Sequence, residues 1–425
     1  MSTPVQPARI IGVIGAGTMG AGIAQLAARS GARTILHDPL PEALERGAQY
    51  ARDGLAKEAA KGRLSAEQAD AAAGGIEPVD DLGAFAECEL VIEAAPERLE
   101  LKHELYARLS QEIVSEQCVL ATNTSSLLVT AIAASASNPE RVVGMHFFNP
   151  APIMRLLEVV AGVESSKEAL ALATATGEAM GKTVIVAKDG PGFLVNRCNR
   201  PFGLEALRIL QERIADVETI DRIVRMEGGF RMGPFELMDL VGVDTGLEIS
   251  KSFYEQSFYE PRWQPSPITA RYVAAGLHGR KTGRGYYDYS SDPYRPPDPD
   301  RDANPNPPGT DAKTGAAASV APAHGGVLER IVCQVINECA FALGEGVGSA
   351  QDIDTGMVLG LNYPRGPLSW ADEIGVDHVL AVLDGLWEEY REARYRPAPE
   401  LKRLVRADQL GRVTALGFFP YHVSP

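Results

Sequence analysis

The chain has 425 residues, enough at about 150 residues per domain for roughly three compact units, which excludes a peptide hormone or a disulfide-stapled scaffold. Its 41 Lys and Arg against 56 Asp and Glu leave a formal charge of −15, the wrong sign for wrapping nucleic acid, so a polyanionic ligand needs a local basic patch. Five cysteines (Cys88, Cys118, Cys198, Cys333, Cys339) without C-x-x-C spacing argue against a disulfide framework and a metal site, and for reduced thiols in the cytoplasm.

The N-terminal stretch has no apolar segment behind its charge to mark secretion. From Arg9 to about Lys188, short β-branched runs alternate with helical patterns, as in a parallel sheet with crossover helices. Strands are predicted at 10–14, 34–37, 90–93, 119–121, 142–146, 156–160 and 184–186. The uncharged run 117–139 is long enough to span a bilayer, but it contains Asn123-Thr124-Ser125-Ser126 and Asn138-Pro139, so no membrane helix is expected. After Gly190-Pro191-Gly192 the pattern turns to long helices, predicted at 193–213, 217–226 and 236–256.

Residues 290–326 are too rich in Pro, Asp and small residues to build a core and read as a linker. Helical periodicity resumes beyond it, and with it an internal repeat. Ile220-Asp221 falls over Ile353-Asp354, Gly233-Pro234 over Gly366-Pro367, Asp239 over Asp372 and Gly242-Val243-Asp244 over Gly375-Val376-Asp377 without a gap. After a one-residue shift, the stretch from Gly279 to Tyr287 falls over that from Gly411 to Phe419. The fold class is therefore an α/β Rossmann-like N-terminal domain (1–188) followed by two tandem all-α domains (189–289 and 327–425).

Ile11-Gly12-Val13-Ile14 leads into Gly15-Ala16-Gly17-Thr18-Met19-Gly20 and then a helix, which is G-x-G-x-x-G in its strand–turn–helix setting. Gly15 permits the tight turn, Gly17 lets a pyrophosphate approach the helix N-terminus, and Gly20 lets helix and strand pack closely. The second strand ends at Asp38, where an acidic side chain would meet a ribose 2′-hydroxyl, and no Arg follows to receive a 2′-phosphate. NAD is favoured over NADP and over flavin; the bland alternative is a Gly-rich turn that binds nothing.

Oxidising a secondary alcohol needs a base for the hydroxyl proton, and neutral imidazole suits neutral pH. His146 ends a predicted strand, where open α/β sheets face their ligand crevice. Glu158 is a charge in an apolar strand and calls for a partner, either His146 or Arg155. Paired with His146, it would orient the ring and stabilise the imidazolium. Taken alone, His146 reads more readily as a satisfied core histidine. Lys57 and Lys61, four apart on a predicted helix, share a face with Arg63 just beyond, and supply the local positive patch a polyanion needs. Without a ligand they are simply a soluble helix face.

The segments Asn123–Leu127, Gly144-Met145-His146-Phe147-Phe148-Asn149-Pro150, Glu158 and Gly192–Arg197, with Gly15–Gly20 and Gly279–Gly283, resemble the 3-hydroxyacyl-CoA dehydrogenase family, in particular its longer bacterial members with a duplicated helical domain. The resemblance runs from Ile10 to about Tyr289. It implies NAD-dependent oxidation of a 3-hydroxyacyl-CoA by a His146–Glu158 pair, with Ser125 and Asn196 holding the substrate oxygen and the reaction at an interdomain cleft. It also implies cofactor contacts from Thr18, Met19, Glu97, Lys102, Asn123, Asn149 and Lys281, and CoA phosphate contacts from Lys57 and Lys61. A homodimer is expected, with no membrane partner. Simpler roles stand beside these: Ser125-Ser126 as a helix cap, Asn196 as a turn residue, and Glu97, Lys102 and Lys281 as solvated charges. Two other functions compete: a non-catalytic NAD-binding protein of the same fold and a dehydrogenase of a free hydroxy acid.

In the repeat, Asn196 projects onto Glu329 and Lys281 onto Val413, so the second copy lacks both polar residues. It is expected to be a packing domain that covers the first copy as a partner subunit's domain would.

Overall fold

The computed structural model describes residues 5–290 and 326–422, and in it every apolar run read as a strand is one. β1 (Ile10–Ile14), β2 (Arg33–His37), β3 (Ile76–Val79), β4 (Leu90–Glu93), β5 (Val119–Thr122), β6 (Val142–Phe147), β7 (Leu156–Ala161) and β8 (Thr183–Lys188) form one sheet in the order β3-β2-β1-β4-β5-β6-β7-β8. The first six are parallel. β7 then runs antiparallel to β6, with β8 parallel to β7, which corrects the expectation of a parallel sheet. The cause is local, since the residues between Phe147 and Leu156 are too few for the crossover of a dozen or more that a parallel pair requires. β3 escaped the sequence reading because Glu77 and Pro78 interrupt its apolar pattern; proline is tolerated there because β3 is an edge strand.

Alternate residues of each strand face opposite layers. Val13, Ile92, Ala121 and Met145 pack with Ile23 and Ala27 of α1 (Thr18–Arg29), Leu44 and Ala48 of α2 (Pro41–Ala60) and residues of α6 (Lys167–Ala179). Ile14, Val91, Leu120 and Val160 pack with Tyr106 of α4 (Leu99–Arg108) and Ile132 of α5 (Val129–Ala133), while α3 (Ala66–Gly74) braces α2. The uncharged run 117–139 divides into β5, a loop and α5. Among the described residues no helix is long and apolar enough to cross a membrane. This sheet and its helices make up one compact unit, Met1–Leu194.

The second unit, Val195–Pro425, is helical. Its first copy holds α7 (Val195–Gln211), α8 (Val217–Met226), α9 (Pro234–Val241), α10 (Val243–Gln256) and α11 (Pro267–Ala274). Its second holds α12 (Val327–Gly344), α13 (Ala350–Leu361), α14 (Pro367–Ile374), α15 (Val376–Tyr390) and α16 (Pro399–Arg406). The single helix predicted at 236–256 is two, α9 and α10, because Gly242 sits at φ +101°, a conformation that L side chains rarely adopt; Gly375 repeats the break at φ +107°. The linker read at 290–326 lies outside the described residues except for its two ends.

The duplication extends to individual bonds. Asp221 accepts the amides of Phe235 and Glu236 at the start of α9, and Asp354 those of Leu368 and Ser369 at the start of α14. Asp239 accepts the Tyr286 and Tyr287 amides and the Tyr289 hydroxyl; Asp372 accepts the Phe418 and Phe419 amides and the Tyr421 hydroxyl.

The copies meet through α7 and α12 in a reciprocal pattern. Arg197 pairs with Glu338 at 2.9 Å and Glu345 at 2.7 Å, while its counterpart Arg330 pairs with the counterparts Glu205 and Glu212. Arg197 also lies over the Trp263 ring and Arg330 over the Tyr395 ring. A surface that meets its own equivalent with partners exchanged has the logic of an isologous subunit contact, here completed within one chain. The two copies thus pack on each other through α7 and α12.

Candidate active site

The turn after β1 is shaped by backbone crowding on one side and openness on the other. A Cβ on Gly15, at φ +94°, would fall 2.6 Å from the Ala94 carbonyl oxygen, and one on Gly20 would fall 1.7 Å from the Gly15 carbonyl oxygen. At Gly17 a Cβ would meet nothing within 4 Å, so space lies open before the first turn of α1. Thr18 and Met19 open that helix, and no side chain caps it at Gly17. Its first amides therefore remain available to an anion, aided by the helix dipole. Asp38 is held beside the loop, its Oδ2 accepting the Ala16 amide at 2.8 Å and its Oδ1 the Leu40 amide at 2.9 Å. The loop opens between β1 and β4, where the strand order reverses and such sheets bind dinucleotides. An open glycine, an uncapped helix and an adjacent carboxylate fit the pyrophosphate and ribose of NAD.

His146 and Glu158 are direct cross-strand partners on β6 and β7. The His146 Nδ1–H donates to Glu158 Oε2 at 2.7 Å, and Glu158 Oε1 accepts the Leu194 amide at 3.2 Å. Glu158 is fully buried and His146 is 6% exposed, between the rings of Phe148 and Phe193. A carboxylate can only accept, so the Nδ1 proton is fixed and the Nε2 lone pair is left free. Among the described residues Nε2 has no hydrogen-bond partner. The strand runs one residue past His146, which is therefore the penultimate residue of β6 rather than its last. The antiparallel β7 is what brings Glu158 opposite it, and Arg155 plays no part in that pairing.

The loop after β5 is organised by Glu97. One oxygen, Oε1, accepts the Thr124 hydroxyl, the Ser125 amide at 3.0 Å, and the Ser126 amide and hydroxyl at 3.1 and 3.0 Å. Behind it Lys102 pairs with Glu93 at 2.6 Å and Glu97 at 3.4 Å, and Glu93 also accepts from the Thr122 hydroxyl and the Ala95 amide. Lys102 is 1% exposed, so it is no solvated charge; it supports the loop from beneath through Glu97. Ser125 and Ser126 are not the cap of α5, whose first amides, Val129 and Thr130, are accepted by Asp189. The exposed Ser125 hydroxyl has no partner among the described residues. Asn123 Oδ1 accepts the Phe147 amide at 2.9 Å, tying this loop to the strand that carries His146; Asn149 is exposed just beyond that strand.

Burial is the largest influence on the Glu97 carboxyl and pushes its pKa up. The Thr124 hydroxyl, the Lys102 charge and the serine amides together outweigh it, leaving the group below the usual carboxylate range. The stability this contributes is present above the unfolded carboxyl's pKa and lost as pH falls through the folded one, so the loop is expected to loosen below about pH 4. Glu97→Gln is expected to lower kcat/KM by about 10–100-fold through misplacement of Ser125, checked by steady-state kinetics at pH 7.

The remaining sequence candidates divide between the units. Lys57, Lys61 and Arg63 are exposed and in no ion pair among the described residues; Lys57 is on α2, Lys61 is its C-terminal cap, one residue past the helix, and Arg63 follows. Asn196, partly buried, opens α7 in the second unit, and Lys281 pairs there with Asp244 at 2.7 Å. Sequence reasoning gave no role to Asp189, and none to Glu93 beyond its place in the motif Val91-Ile92-Glu93-Ala94 that shares in the family resemblance. Glu93 carried the same signal as Glu158, a carboxylate in an apolar strand.

The model of the 3-hydroxyacyl-CoA dehydrogenase NAD-binding domain matches residues 10–190, and that of the C-terminal domain matches twice, at 192–289 and 325–421. The chain belongs to the 3-hydroxyacyl-CoA dehydrogenase family. As a member it is an NAD-dependent oxidoreductase acting on a CH–OH group, and its second helical copy is a second copy of the family's C-terminal domain. It is 37% identical to the 3-hydroxyadipyl-CoA dehydrogenase of Escherichia coli over 92% of this chain and 96% of that one. A probable 3-hydroxybutyryl-CoA dehydrogenase of Deinococcus radiodurans is 41% identical over 65% of this chain and 99% of its own length. The crystal structure of 3-hydroxybutyryl-CoA dehydrogenase from E. coli K12 superposes with a TM-score of 0.85 at 35% identity, covering 94% of this chain and 98% of that one.

Proposed function

We propose that His146 is the acid–base group of a reversible oxidation of 3-hydroxyacyl-CoA to 3-oxoacyl-CoA, with Glu158 its orienting partner. The observation that carries this reading is the 2.7 Å Nδ1–Oε2 bond beside an unpartnered Nε2. Nε2 takes the proton of the substrate hydroxyl as the carbonyl forms. Glu158, itself held by the Leu194 amide, offsets the charge of the imidazolium until the proton passes to solvent. NAD, when bound, supplies the hydride acceptor. Ser125 and Asn196 are assigned to the substrate oxygen, donating to it as negative charge develops. Gly15, Gly17, Gly20 and the first turn of α1 hold the pyrophosphate, and Asp38 the ribose. Lys57, Lys61 and Arg63, exposed and in no ion pair among the described residues, suit the CoA phosphates, which favours a CoA thioester over a free hydroxy acid. The five cysteines are free and buried, in keeping with a cytoplasmic home.

NADH formation from (S)-3-hydroxybutyryl-CoA tests the reading, with NAD expected to be preferred over NADP. Asp38→Ala is expected to lower kcat/KM for NAD by about 10–100-fold, the value of a lost charge-assisted hydrogen bond, and to narrow the preference for NAD. No turnover of any 3-hydroxyacyl thioester with either dinucleotide would overturn it.

A further inference from the structure

Within the first helical copy, α7, α9, α10 and the start of α11 line a partly open cavity of about 160 Å³. By the same measure one water needs only about 10–15 Å³. Leu204, Leu207, Leu237, Met238 and Leu247 give it apolar walls, and Arg200 is the one charged side chain among its lining residues. Arg200 has no carboxylate within ion-pair distance among the described residues. One guanidinium nitrogen donates to the Ser250 hydroxyl at 3.1 Å, the group lies over the Phe253 ring, and its Nε is buried without a partner. Burial alone pushes its pKa down to about 10, so it stays charged at neutral pH. Arg197, three residues earlier, shows the ordinary outcome for an arginine of this helix, with two glutamates bound. A cation left unpaired against an apolar cavity is costly unless something else neutralises it.

The second copy shows that the fold itself requires neither the cavity nor the cation. At the equivalent positions Arg200 becomes Cys333, Gly203 becomes Ile336, Gly246 becomes Val379 and Ser250 becomes Leu383. All four replacements are fully buried in that copy's hydrophobic core. The same scaffold is thus filled in one copy and kept open around an arginine in the other.

Asn196 and Arg200 stand four residues apart on α7, on one face and about 6 Å apart along the axis. A carboxylate three carbons beyond C3 of an acyl chain lies about 4–6 Å from it by ordinary bond lengths. We infer that Arg200 binds a terminal carboxylate of the substrate's acyl chain, making the preferred substrate a dicarboxylic 3-hydroxyacyl-CoA, of which 3-hydroxyadipyl-CoA is the six-carbon case. The inference rests on the proposed placement of the substrate oxygen at Asn196. The intervening methylenes pack on the leucine and methionine walls, and a guanidinium suits a carboxylate by its two-pronged geometry.

The test compares kcat/KM for (S)-3-hydroxyadipyl-CoA and (S)-3-hydroxyhexanoyl-CoA, which differ only in the terminal carboxylate. The wild type is expected to prefer the former by about 30-fold or more, the smallest usual effect of removing one partner of a buried charged pair. Arg200→Met is expected to bring the ratio near one, and Arg200→Lys to retain part of it. Titration calorimetry with adipyl-CoA and hexanoyl-CoA should rank the same variants in the same order without any turnover. Equal use of both thioesters by the wild type, or an Arg200→Met variant that loses both equally, would overturn the inference. Should Arg200→Met not fold, the wild-type ratio and Arg200→Lys decide it. Asn196→Ala tests the underlying placement separately: it should lower kcat for both thioesters alike, and unchanged turnover would refute that placement whatever the selectivity ratio.

Discussion

His146→Ala is expected to lower kcat by about 10²–10⁴-fold, the usual contribution of a positioned acid–base group. The size follows from how completely the ring is committed. Its Nδ1 is tied to Glu158, its ring packs against Phe148 and Phe193, and only Nε2 is left to work. Glu158→Gln should cost somewhat less. An amide can still meet Nδ1, but it offers no charge to balance an imidazolium and can hold the wrong tautomer. NADH formation measures both, and NAD titration shows whether the variants bind cofactor as the wild type does. A His146→Ala enzyme within 10-fold of wild-type kcat would remove His146 from the mechanism.

The second large effect is one of stability. Glu338 accepts from Arg197 at 2.9 Å and from Arg262 at 2.9 Å, and its side chain is only 2% exposed. Glu338→Ala leaves two buried guanidinium groups short of their shared partner, and breaking such a pair from one side costs about 3–5 kcal/mol. In a unit of this size each kcal/mol lowers Tm by about 2–4 °C, so a fall of roughly 6–20 °C is expected in thermal unfolding. Glu77 provides the contrast. It pairs with Arg33 at 2.9 Å, but both side chains are more than two-fifths exposed, so Glu77→Ala should cost about 1 kcal/mol or less. If the two substitutions unfold alike, the interface between the copies is not held by its buried charges.

Much of this was legible in the sequence because it depends on local pattern. β1 and β4 carry short apolar runs rich in Ile and Val, Gly15–Gly20 stands between a strand and a helix, and the repeated Ile-Asp, Gly-Pro and Gly-Val-Asp signatures mark the duplication. What the sequence hid depends on tertiary placement. The antiparallel turn of β7 follows from a connection too short for a crossover, yet nothing in the composition of Leu156–Ala161 announces its direction. Glu97 reads from the sequence as a cofactor contact or a solvated charge, and its grip on the Ser125 loop appears only when β4 and β5 lie side by side. Arg200 carried no signal at all. An arginine on a helix is ordinary until its surroundings prove to be apolar and its partner proves to be missing.

The reciprocal contact between α7 and α12 changes what selection can do with the site. Where such a surface joins two identical subunits, each substitution appears on both sides at once, and the assembly loosens on dilution. With both halves on one chain, association is intramolecular and independent of protein concentration. Each half then answers to its own stretch of gene. One copy carries Glu329 where the other has Asn196, and fills with Ile336 and Leu383 the space that the other leaves open. The chain can adjust the fit of its substrate in one copy without disturbing the support that the other provides.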